Sequence, residues 1–208
     1  DRFIRAGQWK ISDPFAMLGA EVSGKTIGVI GAGRIGLAFA QRARGFNMDI
    51  LYTANSPKPD FEAQTGGRFL ELNQLLKIAD FISVHVPLTP TTRHLIGEQE
   101  LALMKLTAIL INTSRGAVID EQALVSALKN RRLGGAGLDV FEREPVLQPG
   151  LAELDNVVLT PHVGTSTMET RIRMATVCSR NILAALEGRV PPDCLNPEVR
   201  KQQEDGAR

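Results

Sequence analysis

From Thr26 onward the apolar positions fall into short, near-continuous runs separated by longer stretches with helical spacing. Thr26-Ile27-Gly28-Val29-Ile30 reads as a buried strand. Residues 34–44 read as a helix with Ile35, Leu37, Ala38, Phe39 and Ala40 near its packed side. Asp49-Ile50-Leu51-Tyr52 is a second short strand, and the breaker-rich Asn55-Ser56-Pro57-Lys58-Pro59 after it reads as a loop. The pattern then predicts a helix over 70–77, a strand over 81–86, a helix over 98–104 and a strand over 108–111. Asp120 stands where its carboxylate can cap a helix over 121–129. Residues 135–140 and 157–160 add two strands. A long helical pattern over 168–187 is closed by Gly188, and Pro191-Pro192 forbids its continuation. The first 22 residues are mixed and partly amphipathic, with a turn at Asp13-Pro14 and no evident place in a core. The C-terminal tail is polar and expected to fray.

Strands alternating with helices at this spacing predict an α/β fold, a doubly wound parallel sheet covered on both faces. Ala108-Ile109-Leu110-Ile111 is apolar at every position, as a strand buried on both sides should be. The composition agrees: 208 residues, 43% hydrophobic and 23% charged, are enough for a sizeable core. A formal net charge of +1 argues against nucleic acid or an anionic membrane surface as the main partner. The apolar runs fall short of the ~18 residues a membrane span needs. Two cysteines, Cys178 and Cys194, make no disulfide framework, so a reducing, cytoplasmic setting is expected. The first residue is Asp1 rather than methionine, so targeting is left open.

Gly31-Ala32-Gly33-Arg34-Ile35-Gly36 is a G-x-G-x-x-G between a predicted strand and a predicted helix. In that context it reads as the turn of a dinucleotide-binding, Rossmann-type fold, the competing reading being a glycine-rich turn that holds no ligand. Gly31 permits the tight turn, Gly33 lets the backbone approach a pyrophosphate, and Gly36 allows close helix–strand packing. The helix start, through Arg34 and Ile35, offers free N–H groups to the phosphates. An NAD site would carry an acid at the end of the second strand for the ribose hydroxyls. This chain reads Thr53-Ala54-Asn55-Ser56-Pro57-Lys58, with no acid before Asp60. Losing a hydrogen bond to a carboxylate costs NAD roughly 10- to 100-fold. A carboxylate there would instead repel a 2′-phosphate. NADP(H) is therefore the preferred cofactor and NAD(H) the alternative. Asn55 and Ser56 are placed to donate to the phosphate and Lys58 to neutralise it; the competing reading is a plain solvated turn.

The three histidines are not equivalent. His85 alternates with valines and reads as packed or bonded locally, and His94 lies in a polar segment and reads as solvated. His162 follows Thr160-Pro161 at the carboxyl end of a strand, where open parallel sheets place their ligands. Lys129, Arg131 and Arg132 sit at a helix end and complement its dipole.

Four motifs occur in order: Gly31 to Gly36; Asn112-Thr113-Ser114-Arg115-Gly116; Gly137-Leu138-Asp139-Val140-Phe141-Glu142-Arg143-Glu144-Pro145; and Thr160-Pro161-His162-Val163-Gly164. Together they resemble the D-isomer-specific 2-hydroxyacid dehydrogenases, nearest the glyoxylate/hydroxypyruvate reductases. The resemblance implies that Arg115 binds the substrate carboxylate and keto oxygen, that His162 is the acid/base, and that Glu144 is its partner. Glu142 competes for that last role, but the family pattern puts the partner immediately before the proline; Arg143 is expected to face solvent. A structural ion pair is the competing reading of Arg115. The resemblance also places Pro87 along the dinucleotide channel. It puts Thr113, Ser114, Arg115, Asp139, His162 and Gly164 near the nicotinamide; Ala54, Asn55 and Ser56, at the end of the second strand, are the remaining cofactor-binding candidates. No metal site is implied.

On this resemblance residues 1–164 form a dinucleotide-binding domain, and 165–208 the return helix and tail of a substrate-binding domain. The substrate is a small 2-oxo or 2-hydroxy acid, and a homodimer is expected through the N-terminal run from Arg2 to Trp9. Other small acids (formate, phosphite, a sugar acid, phosphoglycerate) and a dinucleotide-sensing corepressor are the alternatives. Most of the substrate domain precedes this point in the family. The chain is therefore expected to lack one wall of the cleft, to expose an apolar face on the helix from Met168, and to be a poor catalyst prone to aggregation.

Overall fold

The computed structural model describes residues 1–196 and Glu198. The chain divides into two compact units, Asp1–Pro161 and His162–Arg208. The first opens with a short helix α1 (Arg2–Arg5). Its sheet strands are β1 (Thr26–Ile30), β2 (Asp49–Thr53), β3 (Arg68–Phe69), β4 (Phe81–Val84), β5 (Ile109–Asn112), β6 (Gly135–Leu138) and β7 (Val157–Leu159). Between them run α2 (Arg34–Ala43), α3 (Pro59–Thr65), α4 (Leu72–Ile78), α5 (Glu98–Leu103) and α6 (Glu121–Lys129). All strand pairs are parallel, in the order β3-β2-β1-β4-β5-β6-β7.

Period-two alternation divides the core. Ile27 and Val29 of β1 and Ile50 and Tyr52 of β2 pack on one face with Ala40 and Ala43 of α2 and Phe61 of α3. Ile30 and Leu51 turn to the other face, with Leu75 and Leu76 of α4, Leu101 of α5, and Leu124 and Leu128 of α6. Each large aliphatic side chain buried this way stabilises the fold by roughly 1.5–3 kcal/mol. Asp120 caps α6 as expected, Oδ1 accepting from the Ala123 N–H at 3.0 Å.

Three local expectations differ. Ile35 is 72% exposed, because α2 buries the small stripe Gly36, Ala40 and Ala43 and so places Ile35 off that line. The loop after β2 is shorter than expected, since α3 begins at Pro59. A first-turn proline sacrifices no intrahelical hydrogen bond, so the residue that looked like a breaker is a starter. Strand β3 is two residues long, too short for its period to be read, and takes its shape from pairing with β2.

In the second unit, Thr167 caps α7 (Met168–Leu186) by accepting from the Thr170 N–H at 3.2 Å. Gly188 follows the helix with φ +72°. Only Ala184 of this helix is buried, while Ile172, Ile182 and Leu186 are exposed, matching the apolar face expected there. The fraying expected of the tail falls mostly outside the described residues.

Candidate active site on the carboxyl edge of the sheet

The strand order reverses between β1 and β4, so the connections leaving these neighbours diverge to opposite faces and open a crevice at their carboxyl ends. Gly31 sits there with φ +101°, its N–H donating to the Thr53 carbonyl at 2.9 Å. A Cβ at this position would lie 2.8 Å from the carbonyl carbon and oxygen of His85. A Cβ at Gly36 would lie 2.0 Å from the Gly31 oxygen, so the first turn of α2 closes directly on the loop. Gly33 is different. It is the N-cap of α2, has no side chain to cap it, and a Cβ there would meet nothing of the protein within 4 Å. The open ground beside Gly33 adjoins the N–H groups of Arg34, Ile35 and Gly36, an arrangement that fits a pyrophosphate.

His85 closes the other side of the crevice. Its N–H donates to the Ile30 carbonyl at 2.7 Å, its Nε2 pairs with Ser83 Oγ at 2.9 Å, and its ring lies 4.9 Å from that of Phe39. Burial pushes its pKa down to about 4, so it is neutral near pH 7 and bonded locally, as its strand position implied.

At the end of β2, Ala54 is partly buried while Asn55 and Ser56 are exposed. Lys58 donates from Nζ to Ser56 Oγ at 3.3 Å. Asp60 lies in the first turn of α3, beyond the strand end.

The turn after β5 is built around Asn112, a buried side chain whose Oδ1 accepts from the Ser114 N–H (3.0 Å) and hydroxyl (2.8 Å). Its Nδ2 donates to the Arg115 carbonyl at 2.9 Å. Thr113 and Arg115 are exposed, and the guanidinium donates to the Ser114 carbonyl at 2.6 Å rather than to a carboxylate. Gly116 then packs against the next loop so closely that a Cβ would lie 1.9 Å from the Phe141 carbonyl carbon and 2.3 Å from the Glu142 nitrogen. The loop carrying Glu144 is thereby seated on the turn carrying Arg115. Within that loop the Phe141 N–H donates to Glu144 Oε1 at 3.0 Å.

Glu142 is committed elsewhere: its Oε1 lies 2.8 Å from His94 Nε2 and 3.5 Å from Arg93 Nη1. His94 is thus paired, not simply solvated, because the fold brings the loop after β4 beside the loop after β6. Arg143 is exposed. Asp139 is buried and accepts from the Thr160 hydroxyl at 2.6 Å. The Pro87 carbonyl accepts from the Thr92 hydroxyl at 2.6 Å. His162, with φ +52°, and Gly164 open the second unit. At the far end of α6, Arg131 pairs with Asp155 at 2.7 Å, so this basic run also makes a specific ion pair. Among the described residues, no group of three His, Cys, Asp or Glu is placed to hold a metal ion and no helix is long and apolar enough to cross a membrane.

Two supporting residues escaped the sequence reading. Asn112 stood within a quoted motif, and its place at a strand end before Ser114 was the available signal. Glu121, 4% exposed, accepts the Glu142 N–H at 2.7 Å and so holds the Glu144 loop. As the first residue of α6 it looked like ordinary first-turn acidity. Burial raises its pKa, with Glu142 and Glu144 adding repulsion. The unfolded chain therefore releases this proton first as pH rises, and native stability falls with increasing pH above the usual carboxylate range. Glu121→Gln keeps an acceptor without the charge. Its Tm should exceed that of the parent at pH 7 and converge with it near pH 4; a pH-independent difference would exclude the buried charge as the cause.

Residues 1–164 match the model of the D-isomer specific 2-hydroxyacid dehydrogenase NAD binding domain. The chain belongs to that family. It is 50% identical over 203 residues to the glyoxylate reductase of Thermococcus litoralis, covering 96% of this chain and 61% of that protein. The TT0316 protein of Thermus thermophilus superposes with a TM-score of 0.85 at 48% identity, over 92% of this chain and 60% of the other. A glyoxylate reductase from Paecilomyes thermophila superposes with a TM-score of 0.81 at 41% identity, over 91% of this chain and 57% of the other. The chain of this dehydrogenase-family member thus spans about three-fifths of the length of these relatives.

Proposed function

We propose that the chain is the coenzyme-binding part of an oxidoreductase that reduces a small 2-oxo acid, glyoxylate or hydroxypyruvate, to the 2-hydroxy acid with NADPH. The observation that carries this reading is the seating of Gly116 on the Phe141–Glu142 peptide, which holds an outward-facing arginine and a glutamate on neighbouring carboxyl-edge loops of a dinucleotide fold. Residues 1–164 are the dinucleotide-binding domain and 165–208 belong to the substrate-binding domain. The names of the relatives support the same substrate class.

When bound, the nicotinamide supplies the hydride. The chain's own groups do the rest. Arg115 presents a planar fork that suits a carboxylate bidentately, and its fixed charge polarises the neighbouring carbonyl. His162 is the acid/base that supplies the proton to the carbonyl oxygen, with Glu144 the partner that the family pattern assigns to it. Gly31, Gly33 and Gly36, with the N–H groups of Arg34 and Ile35, take the pyrophosphate. Ala54, Asn55, Ser56 and Lys58 form an acid-free receptor for a 2′-phosphate. Pro87, Thr113, Ser114, Asp139 and Gly164 serve the nicotinamide side.

The test is turnover of glyoxylate, hydroxypyruvate and pyruvate with NADPH and NADH by the protein as its gene encodes it. A higher kcat/KM with NADPH is expected, and His162→Ala should abolish turnover while leaving dinucleotide binding. Ala54→Asp should shift preference toward NADH by roughly ten-fold or more, through repulsion of the 2′-phosphate. Turnover retained in the histidine variant would overturn the acid/base role, and an unmoved preference the cofactor assignment.

A further inference from the structure

We propose that Tyr52, a fully buried core residue of β2, is a specificity-determining positioning residue: its hydroxyl pins the loop over residues 54–58 in the shape that receives the 2′-phosphate of NADP(H). This deepens the cofactor reading above and rests on it.

Tyr52 is fully buried, its ring 4.5 Å from that of Phe61 and 5.6 Å from that of Phe69. A buried phenol needs partners for its polar end. Tyr52 finds one in the loop it underlies and the other on α3. The hydroxyl accepts the Lys58 N–H at 2.6 Å and donates to Glu62 Oε1 at 2.7 Å.

The local sequence makes the first of these bonds decisive. Lys58 stands between Pro57 and Pro59, and proline has no backbone N–H. The Lys58 amide is therefore the single main-chain donor across those three residues, and the phenol takes it. At the other end of the loop, the Gly31 N–H holds the Thr53 carbonyl at 2.9 Å. The loop is thus tied at one side to the glycine turn and at the other to the tyrosine, while Asn55 and Ser56 remain exposed between the ties. Lys58 returns its ammonium to Ser56 Oγ at 3.3 Å, so the cation and the hydroxyl are brought together over the tied loop.

The second bond acts in the same direction. By donating to Glu62, the phenol holds a carboxylate of α3 at the core side of the loop. A negative charge free to swing toward a phosphate would oppose binding. A dinucleotide without the 2′-phosphate does not use these groups, so the tie should matter for one cofactor and not the other.

The experiment is titration of the chain with NADPH and with NADH, followed by nicotinamide fluorescence, for the parent and Tyr52→Phe. The parent should prefer NADPH. The variant should lose about ten-fold in NADPH affinity, the consequence of an unsatisfied amide and a loosened loop, with NADH affinity within about two-fold of the parent. Equal losses for both cofactors, or an unchanged ratio, would overturn the inference and leave the NADP(H) assignment standing. A parent with no NADPH preference would overturn both. Amide hydrogen exchange of the parent provides a measurement that does not depend on the variant folding. The Lys58 N–H should be protected in the free protein, and exchange at the rate of the exposed loop amides would refute the tie.

Discussion

Gly33→Thr is expected to lower the affinity of the chain for NADPH and NADH by about 100-fold while leaving its Tm unchanged within about 2 °C. The two halves of that expectation have separate physical origins. A Cβ at Gly33 meets no protein atom within 4 Å, and the residue sits in extended geometry at φ −78°, ψ −171°, which any side chain adopts. Threonine and glycine are also about equally good N-caps, so the helix loses nothing. What changes is the ground outside the protein. The new methyl group occupies the approach to the backbone, and the new hydroxyl accepts from the same first-turn N–H groups that a pyrophosphate would use. Each charge-assisted hydrogen bond is worth about 1.5–3 kcal/mol, so losing one or two accounts for the factor. Titration beside a thermal melt makes the comparison, and parental affinity in the variant would remove the pyrophosphate from this turn.

Gly116→Ala should behave in the opposite way. Its Cβ would lie 1.9 Å from the Phe141 carbonyl carbon and 2.1 Å from the oxygen, and neither is the end of a flexible side chain. The main chain must separate, and overpacking of that kind costs about 3 kcal/mol, the upper end of its usual range. For a chain of this size the Tm should fall by roughly 6–12 °C. Dinucleotide affinity should fall by a smaller factor than turnover, because the glycine turn that takes the pyrophosphate lies on β1 and α2, and only the nicotinamide-side residues Thr113, Ser114 and Asp139 adjoin the displaced loops. Turnover of the gene-encoded protein should fall far more, since the loops bearing Arg115 and Glu144 are the ones forced apart. A variant with parental Tm and turnover would show that the two loops are not seated on each other in solution.

Much of this was legible along the chain. The alternation of apolar runs with helical spacing set the α/β class, and six of the seven sheet strands were readable because each carries its own apolar run. Strand β3 was not, since two residues have no period and their conformation is imposed by β2. The prolines misled at α3 because their cost depends on position within a helix, which composition does not reveal. Ile35 misled for a related reason: a helix that lies close to a sheet buries its smallest residues, so the apolar stripe ran through Gly36 and Ala40.

The candidate site divides along the same line. Local chemistry determined that a strand–turn–helix glycine motif is present, that the second strand ends without an acid, and that Arg115, Glu144 and His162 stand in recognisable motifs. These are properties of neighbours in sequence, and neighbours are bonded covalently whatever the fold. Tertiary structure alone decided that Glu142 is occupied by His94 and Arg93, that Glu121 holds the loop beside it, and that Tyr52 ties a lysine amide six residues away. Those assignments turn on hydrogen bonds of 2.6–2.8 Å and an ion pair at 3.5 Å, those of Glu142 and Glu121 between segments brought together by strand order and that of Tyr52 across the connection from β2 to α3. A polar atom's partner is chosen by distance in space, which the order of residues does not specify until the sheet has assembled.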